Sequence, residues 1–167
     1  LVFDASNGTS TWNLNAPIDF AASTSSKLTI RDGNFATSSN LNSAITGSGN
    51  IVVESNRSDT GDDRAYFYLK SANSTFSGNW SAQGFDTGAF TNIRASAANA
   101  LGTGTVTLLD RGSLLVDVDN GIDSTTGVIL SHSAARFNLS NRNWTNAAGV
   151  LTVNNGTVNM GTGIISI

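Results

Sequence analysis

The fold is decided by residues 71–118, which read SANSTFSGNWSAQGFDTGAFTNIRASAANALGTGTVTLLDRGSLLVDV. This stretch closes with two runs rich in β-branched and aliphatic residues, 105–109 and 113–118, and only the tripeptide DRG separates them. Such residues favour strands, and the glycine at each corner favours a turn. The spacing leaves no room for a helix, so the pattern predicts a strand, a tight turn and a second strand.

The same pattern returns near the C-terminus, where GVLTV at 149–153 and TVNM at 157–160 flank the corner NNG. A short strand, a corner ending in glycine and another short strand, recurring along one chain, is typical of a β-solenoid. Asparagines in the turns can form hydrogen-bonded ladders between coils, or can simply tolerate left-handed turn conformations. Both interpretations stay open for Asn50, Asn73, Asn99, Asn120 and Asn155.

Three motifs resemble the autotransporter-associated β-strand repeat, also called the passenger-associated transport repeat. GSGNIVV at 47–53, NSTFSG at 73–78 and ALGTG at 100–104 are similar to its glycine-rich strand, its corner and its next strand entry. Phe76 stands where the family more often has Tyr, and the loop 83–90 is longer than usual. The resemblance covers residues 45–118, under half of the chain. It implies a right-handed parallel β-helix in a large secreted or surface-exposed bacterial protein, and it implies no reaction.

Composition agrees with one folded all-β domain. The chain has 167 residues, of which 39% are hydrophobic and 13% charged, with a net charge of −3, and disordered chains usually combine lower hydrophobicity with higher charge. We therefore expect residues 1–167 to form a single β-helix domain, a segment of, or a stacking unit in, a longer assembly. Sparse Lys and Arg with a pI near 4.8 argue against nucleic acid as a partner.

The protein is expected to be extracellular or to lie on the bacterial cell surface. The chain has no cysteine, so disulfides cannot stabilise it, and this suits the export through an outer-membrane pore that the resemblance implies. It opens with LVFD, without Met or a basic flank, as a mature product or a piece of a longer protein would. No apolar run approaches the ~20 residues of a membrane span, so no membrane insertion is expected.

Alternation along the strands predicts which side chains face the core. Leu28 and Ile30 are expected inward, as are Phe67 and Leu69, with Tyr66 and Tyr68 outward beside Lys70. Residues 36–43 are expected to form a loop that holds one core residue, Leu41. The three tryptophans are expected to fill the core or its ends: Trp12, Trp80 and Trp144.

Outward tyrosines two residues apart are a candidate binding surface. The flat rings of Tyr66 and Tyr68 are suited to stack on sugars, so a glycan is a possible partner and a carbohydrate-binding module is the alternative function. The competing interpretation is that both rings pack beneath the polar loop 55–64.

Two acidic clusters are candidate calcium sites, and no other cofactor is expected. The first holds Asp59, Asp62 and Asp63, and the second holds Asp117, Asp119 and Asp123. Calcium prefers six to eight oxygen ligands around a tight turn, but the second cluster lacks the glycine and glutamate of an EF-hand loop. Solvated acidic turns are the competing interpretation.

Catalysis is not expected from this sequence. His132 is the single histidine, and without a cysteine it cannot build a typical zinc site. Polysaccharide lyases and galacturonases share the β-helix fold, so a lyase or hydrolase is a second alternative, with Asp62 and Asp63 near Arg64 and Lys70 as the closest approach to a catalytic set. Adjacent aspartates on a strand point to opposite sides, which makes a poor acid–base pair.

The C-terminal residues 164–167 (IISI) carry no charge and no capping helix. Solenoids need polar caps at their ends, so we expect end-to-end self-association or continuation into further repeats. The expected function is a stiff extracellular structural module, either an adhesin passenger segment or a self-assembling filament or sheath subunit.

Overall fold

The computed structural model describes residues 2–4, 11–20, 27–32, 38–55, 64–73, 75–84 and 90–166. Within these ranges the chain forms strands and no helix, and all paired strands run parallel. The strands are β1 (Val2–Asp4), β2 (Trp12–Leu14), β3 (Ile18–Asp19), β4 (Lys27–Asp32), β5 (Ser38–Leu41), β6 (Ile45–Thr46), β7 (Asn50–Ser55), β8 (Arg64–Leu69), β9 (Asn79–Gln83), β10 (Phe90–Ala95), β11 (Thr105–Leu108), β12 (Gly112–Val116), β13 (Gly127–Asn138), β14 (Trp144–Thr145), β15 (Leu151–Asn159) and β16 (Ile165–Ser166). The predicted parallel β-solenoid is confirmed.

The chain winds in coils that stack their strands on three faces. The first face consists of β1, β4, β7, β9, β11 and the first halves of β13 and β15. The second face consists of β2, β5, β8, β10, β12 and the second halves of β13 and β15. The third face holds the pairs β3–β6 and β14–β16, and backbone N–H groups of Asn73, Asn99 and Asn120 continue it by donating to the next coil.

Coil length varies along the chain, and most of the variation lies at one corner. Asn50 pairs with Asn79, 29 residues on, whereas Thr105 pairs with Gly127, 22 residues on. Between the first and second faces, β7 and β8 are separated by residues 56–63, β11 and β12 by 109–111, and β13 bends across without a break. The ladder of parallel strands thus continues past a corner of changing size.

Apolar side chains stack inside the coils, as the alternation predicted. Leu28, Ile30, Phe67 and Leu69 are all buried in one contiguous core. Trp80 and Trp144 are buried too, and their indole N–H groups donate to carbonyl oxygens of a neighbouring coil at 2.8 and 3.2 Å. The side chain of Trp12 lies outside the described part of the structure.

The prediction of a loop over residues 36–43 is wrong, because β5 (Ser38–Leu41) is a strand between β2 and β8. Leu41 is buried, as expected. The polar side chains of β5 are accommodated by contacts between coils, and Asn40 Nδ2 donates to Asn13 Oδ1 at 2.9 Å.

The turn asparagines show both expected behaviours. Asn99 and Asn120 adopt left-handed backbone conformations, with φ of 51° and 52°. Asn79 Nδ2 instead donates to Asn50 Oδ1 at 3.4 Å, one step of a side-chain ladder. Asn155 does neither, and its Oδ1 accepts a hydrogen bond from Gly156 N–H within its own turn.

Asn73 forms hydrogen bonds to the coils on both sides of it. Its side chain is only 2% exposed; Oδ1 accepts from Ile45 N–H at 2.7 Å and Nδ2 donates to Ala100 O at 2.5 Å. Ile45 belongs to the preceding coil and Ala100 to the following one. One amide therefore satisfies buried backbone groups that would otherwise lack partners.

A column of glycines marks the closest approach between coils. A Cβ built on Gly78 would lie 1.8 Å from Gly49 O, and one built on Gly104 would lie 1.9 Å from Gly78 O. No side chain fits at these distances. These glycines belong to the GSG, SG and GTG motifs. The motifs therefore mark positions where adjacent coils lie too close for any side chain.

We expect Gly104→Ala to lower the free energy of unfolding by about 1–3 kcal/mol, because the new methyl must push the two backbones apart. Urea denaturation measures this loss. Gly127→Ala is the matched control, since its Cβ would meet only the Thr105 side chain, with Oγ1 at 3.2 Å. Equal losses in the two variants would contradict the steric explanation.

Asn73→Ala should cost about 2–4 kcal/mol, since it leaves one buried N–H and one buried carbonyl unpaired. Thermal and urea unfolding report the change. The control Asn155→Ala removes an exposed amide and should change stability by no more than about 0.5 kcal/mol. If both variants unfold alike, the bridging role of Asn73 is wrong.

Candidate functional site

The outward side chains of β8, β10, β12, β13 and β15 form what we call the outer second face. Because these parallel strands are in register, the side chains align in two rows across the coils. The first row is Tyr66, Asn92, Ser113, Arg136 and Thr157, and the second is Tyr68, Arg94, Leu115, Asn138 and Asn159.

The structure confirms that Tyr66 and Tyr68 point outward. Both are half-buried, whereas Phe67 between them is in the core. Their ring centroids lie 6.2 Å apart with a tilt of 34°, so they form one aromatic patch. That this patch binds a ligand stays a prediction.

Cationic side chains lie against these rings. Arg94 Cζ is 5.7 Å from the Tyr66 centroid and 4.9 Å from the Tyr68 centroid, and Arg94 Nη1 donates to the Tyr68 hydroxyl at 3.2 Å. Lys70 Nζ is 5.5 Å from the Tyr68 centroid. A sugar would therefore share the ring faces with a guanidinium and an ammonium group.

An ion pair with Asp117 holds Arg94 in place. Arg94 Nη2 donates to Asp117 Oδ1 at 2.6 Å, Arg94 Nε donates to Oδ2 at 3.0 Å, and Ser96 Oγ donates to the same carboxylate at 2.6 Å. The hydrogen bond to Asp117 raises the pKa of Arg94 above its ordinary value, against the opposing effect of burial. Asp117, a predicted calcium ligand, is thus committed to cationic and hydroxyl donors.

The other candidate calcium ligands do not converge in the described structure. Asp119 Oδ1 accepts from Asn143 N–H at 3.0 Å, and Asp123 Oδ1 accepts from the Thr125 backbone N–H and hydroxyl at 2.9 and 2.8 Å. In the described ranges, no three His, Cys, Asp or Glu side chains group so as to hold a metal ion. Asp59, Asp62 and Asp63 lie outside the described residues, and the calcium prediction stays untested.

His132 is exposed at the bend of β13. Its Nδ1 lies 3.2 Å from Ala134 N and 3.1 Å from Asp110 Oδ1. One nitrogen cannot accept and donate at once, so Nδ1 accepts from Ala134 N–H when it carries no proton and donates to Asp110 Oδ1 when it carries one. Asp62 and Asp63, the candidate catalytic pair, lie outside the described residues, so the expectation that the chain is not an enzyme stays a prediction.

A cleft on the outer second face was not predicted. Its volume is about 450 Å³, and its lining includes Phe90, Asn92, Ser113, Leu115, Arg136 and Asn138. Phe90 is only 6% exposed, yet it lies outside the contiguous core. Arg136 Cζ lies 3.8 Å from the centroid of its ring, and Arg111 Cζ lies 5.9 Å from it. The alternation of Phe90, Asn92 and Arg94 in the sequence indicates that these three side chains face outward. It does not indicate which residues they contact, because those residues belong to other coils.

The last coil presents an apolar edge. Among the described residues, the exposed large apolar side chains all belong to this coil: Val150, Val153, Met160 and Ile164. The sequence contains no charged residue after Arg142. β15 pairs with β13 on one side, and no strand of the described ranges pairs with its other side.

No helix in the described ranges is long and apolar enough to cross a membrane. No family model matches the sequence, and no curated protein or solved structure is significantly similar to it. The similarity to the autotransporter-associated repeat therefore remains a resemblance in motifs, while the parallel β-solenoid that it implies is what the chain forms.

A double-mutant cycle with Arg94→Gln and Asp117→Asn should give a coupling energy of about 1 kcal/mol, because the contact is bidentate and partly shielded from water. Unfolding at low ionic strength measures it, and salt should reduce it. A double-mutant cycle on the more exposed pair of His132 and Asp110, measured at neutral pH, should give a smaller coupling energy. The reverse order would contradict the assignment of Arg94 as an anchored cation.

Proposed function

We propose that this chain is a non-enzymatic structural module of an extracellular or cell-surface bacterial protein. In this proposal a stiff β-solenoid serves either as a segment of an adhesin passenger or as the subunit of a self-assembling filament or sheath. Parallel ladders run along the stack and a single core fills it, so bending must strain hydrogen bonds and packing together. That coupling supports a mechanical role.

The apolar edge of the last coil carries the proposal. Edge strands of soluble proteins are usually protected by charges, bulges or a covering segment, because an open edge recruits other strands. Here Val153 is 48% exposed and Ile164 is 60% exposed, without one charged residue in the coil after Arg142. Such an edge is suited to receive another coil of the same kind.

The covering coil has a different source in each form of the proposal. In a passenger it belongs to the same polypeptide, and the stack simply continues. In a filament it belongs to a second copy, which docks head to tail, and repetition of such a contact gives an open fibre. The physical contact is the same in both: parallel backbone pairing with β15 and apolar packing on Val153 and Ile164.

Replacing both Val153 and Ile164 by Lys should abolish association, because two ammonium groups would have to be buried without partners. Light scattering after size exclusion and negative-stain electron microscopy, over a wide concentration range, report the outcome. We expect concentration-dependent rods from the unaltered chain and a dilution-stable monomer from the double variant. Ser133→Lys, at an exposed position on the bend of β13, is the control and should associate normally.

An unaltered chain that stays monomeric at every concentration would contradict the filament form and leave the passenger form. Limited proteolysis then tests the passenger form, since a closed ladder should resist cleavage within the coils. Digestion of the coils as fast as that of a urea-unfolded sample would contradict both forms.

A further inference from the structure

We infer that the cleft on the outer second face binds acidic saccharides, with Arg136 contacting a carboxylate or sulfate group on a sugar ring. This binding activity is separate from the structural role proposed above and does not depend on self-association.

Arg136 is the cation available to a ligand in this cleft. Its guanidinium lies 3.8 Å from the centroid of the Phe90 ring, and its side chain is exposed. Stacking on an aromatic ring restrains the guanidinium plane and leaves the N–H groups at its edge free to donate. No carboxylate of the described residues forms an ion pair with Arg136, in contrast to Arg94, which Asp117 neutralises.

The rest of the lining suits a polyhydroxylated ring. Asn138 Nδ2 is suited to donate, since Asn138 Oδ1 already accepts from Ser140 N–H. Asn92 Oδ1 is suited to accept, since Asn92 Nδ2 donates to Ala65 O and Phe90 O. Ser113 supplies a hydroxyl, and Leu115 supplies an apolar contact for C–H groups. A volume of about 450 Å³ lies within the usual range of small-ligand sites. The Tyr66 ring belongs to the same row as Asn92 and Ser113, so it extends the surface beyond the cleft.

The positive charge beside the cleft favours acidic saccharides over neutral ones. Among the described residues, the lining contains no Asp or Glu, and the Arg111 guanidinium lies 5.9 Å from the same Phe90 ring. A guanidinium matches the two oxygens of a carboxylate or sulfate with paired hydrogen bonds. A peptide that pairs as a strand is less suited to most of this surface, because β10, β12 and β13 are paired on both sides. Of the described lining, Thr157 and Asn159 lie on β15, whose outer edge is open within the described part of the chain.

The test is calorimetric titration at low ionic strength with oligogalacturonate, its methyl ester and a sulfated oligosaccharide of similar length. We expect the chain to bind oligogalacturonate at least tenfold more tightly than the neutral ester, since the ester removes the charge-assisted hydrogen bonds. Arg136→Gln should weaken binding of oligogalacturonate at least tenfold. Arg142→Gln makes the same charge change at an exposed position outside the cleft lining and should leave binding unchanged.

Tighter binding of the carboxylated or of the sulfated probe identifies the preferred oxyanion, and either result supports the inference. Binding of neither acidic probe at millimolar concentration would overturn it, as would equal affinity for acid and ester or equal weakening by the two Arg variants. The comparison of acid with ester uses only the unaltered chain, so it decides the charge requirement whatever Arg136→Gln does to folding. Failure here would leave the structural proposal standing, because that proposal rests on Val153 and Ile164, which do not line the cleft.

Discussion

The close approach of consecutive coils at Gly49, Gly78 and Gly104 is the constraint on which the rest of the structure depends. Parallel strands must lie about 4.8 Å apart for their backbones to pair, and at this corner even a methyl group would separate them. Asn73 holds the coils together from the inside, because its buried side-chain amide is hydrogen-bonded to the coil before it and to the coil after it. Held at this spacing, the coils fix both the core and the rows of side chains on the outside.

Much of the fold could be predicted from the sequence because alternation along a strand is a local signal. Phe67 and Leu69 faced the core, and Tyr66 and Tyr68 faced outward, as the period of two requires. The strand β5 was missed because it reads SSNL, with three polar residues in four and no apolar alternation. Its neighbours β2 and β8 make it a strand by pairing with both of its edges, which is information from other coils.

The candidate site shows the same division between local and distant information. The orientation of the tyrosines was predictable, but the Arg94 guanidinium reaches Tyr68 from 26 residues away, and Arg136 reaches Phe90 from two coils further on. Coil length ranges from 21 to 29 residues, so no fixed period tells which side chains become neighbours. The partnership of Asp117 with Arg94 was hidden for this reason.

The corner of changing size between the first and second faces bears on how such a chain can diversify. Strands pair on both sides of this corner whether the flanking strands are separated by eight residues, by residues 109–111 or by a bend of β13, where the pairing with β15 shifts register. The closure entropy of a loop grows only slowly with its length, by about 0.6 kcal/mol for each doubling. Insertions and deletions here therefore leave the scaffold nearly intact, which makes this corner the natural place for evolution, or an engineer, to graft foreign peptides for display along a rod.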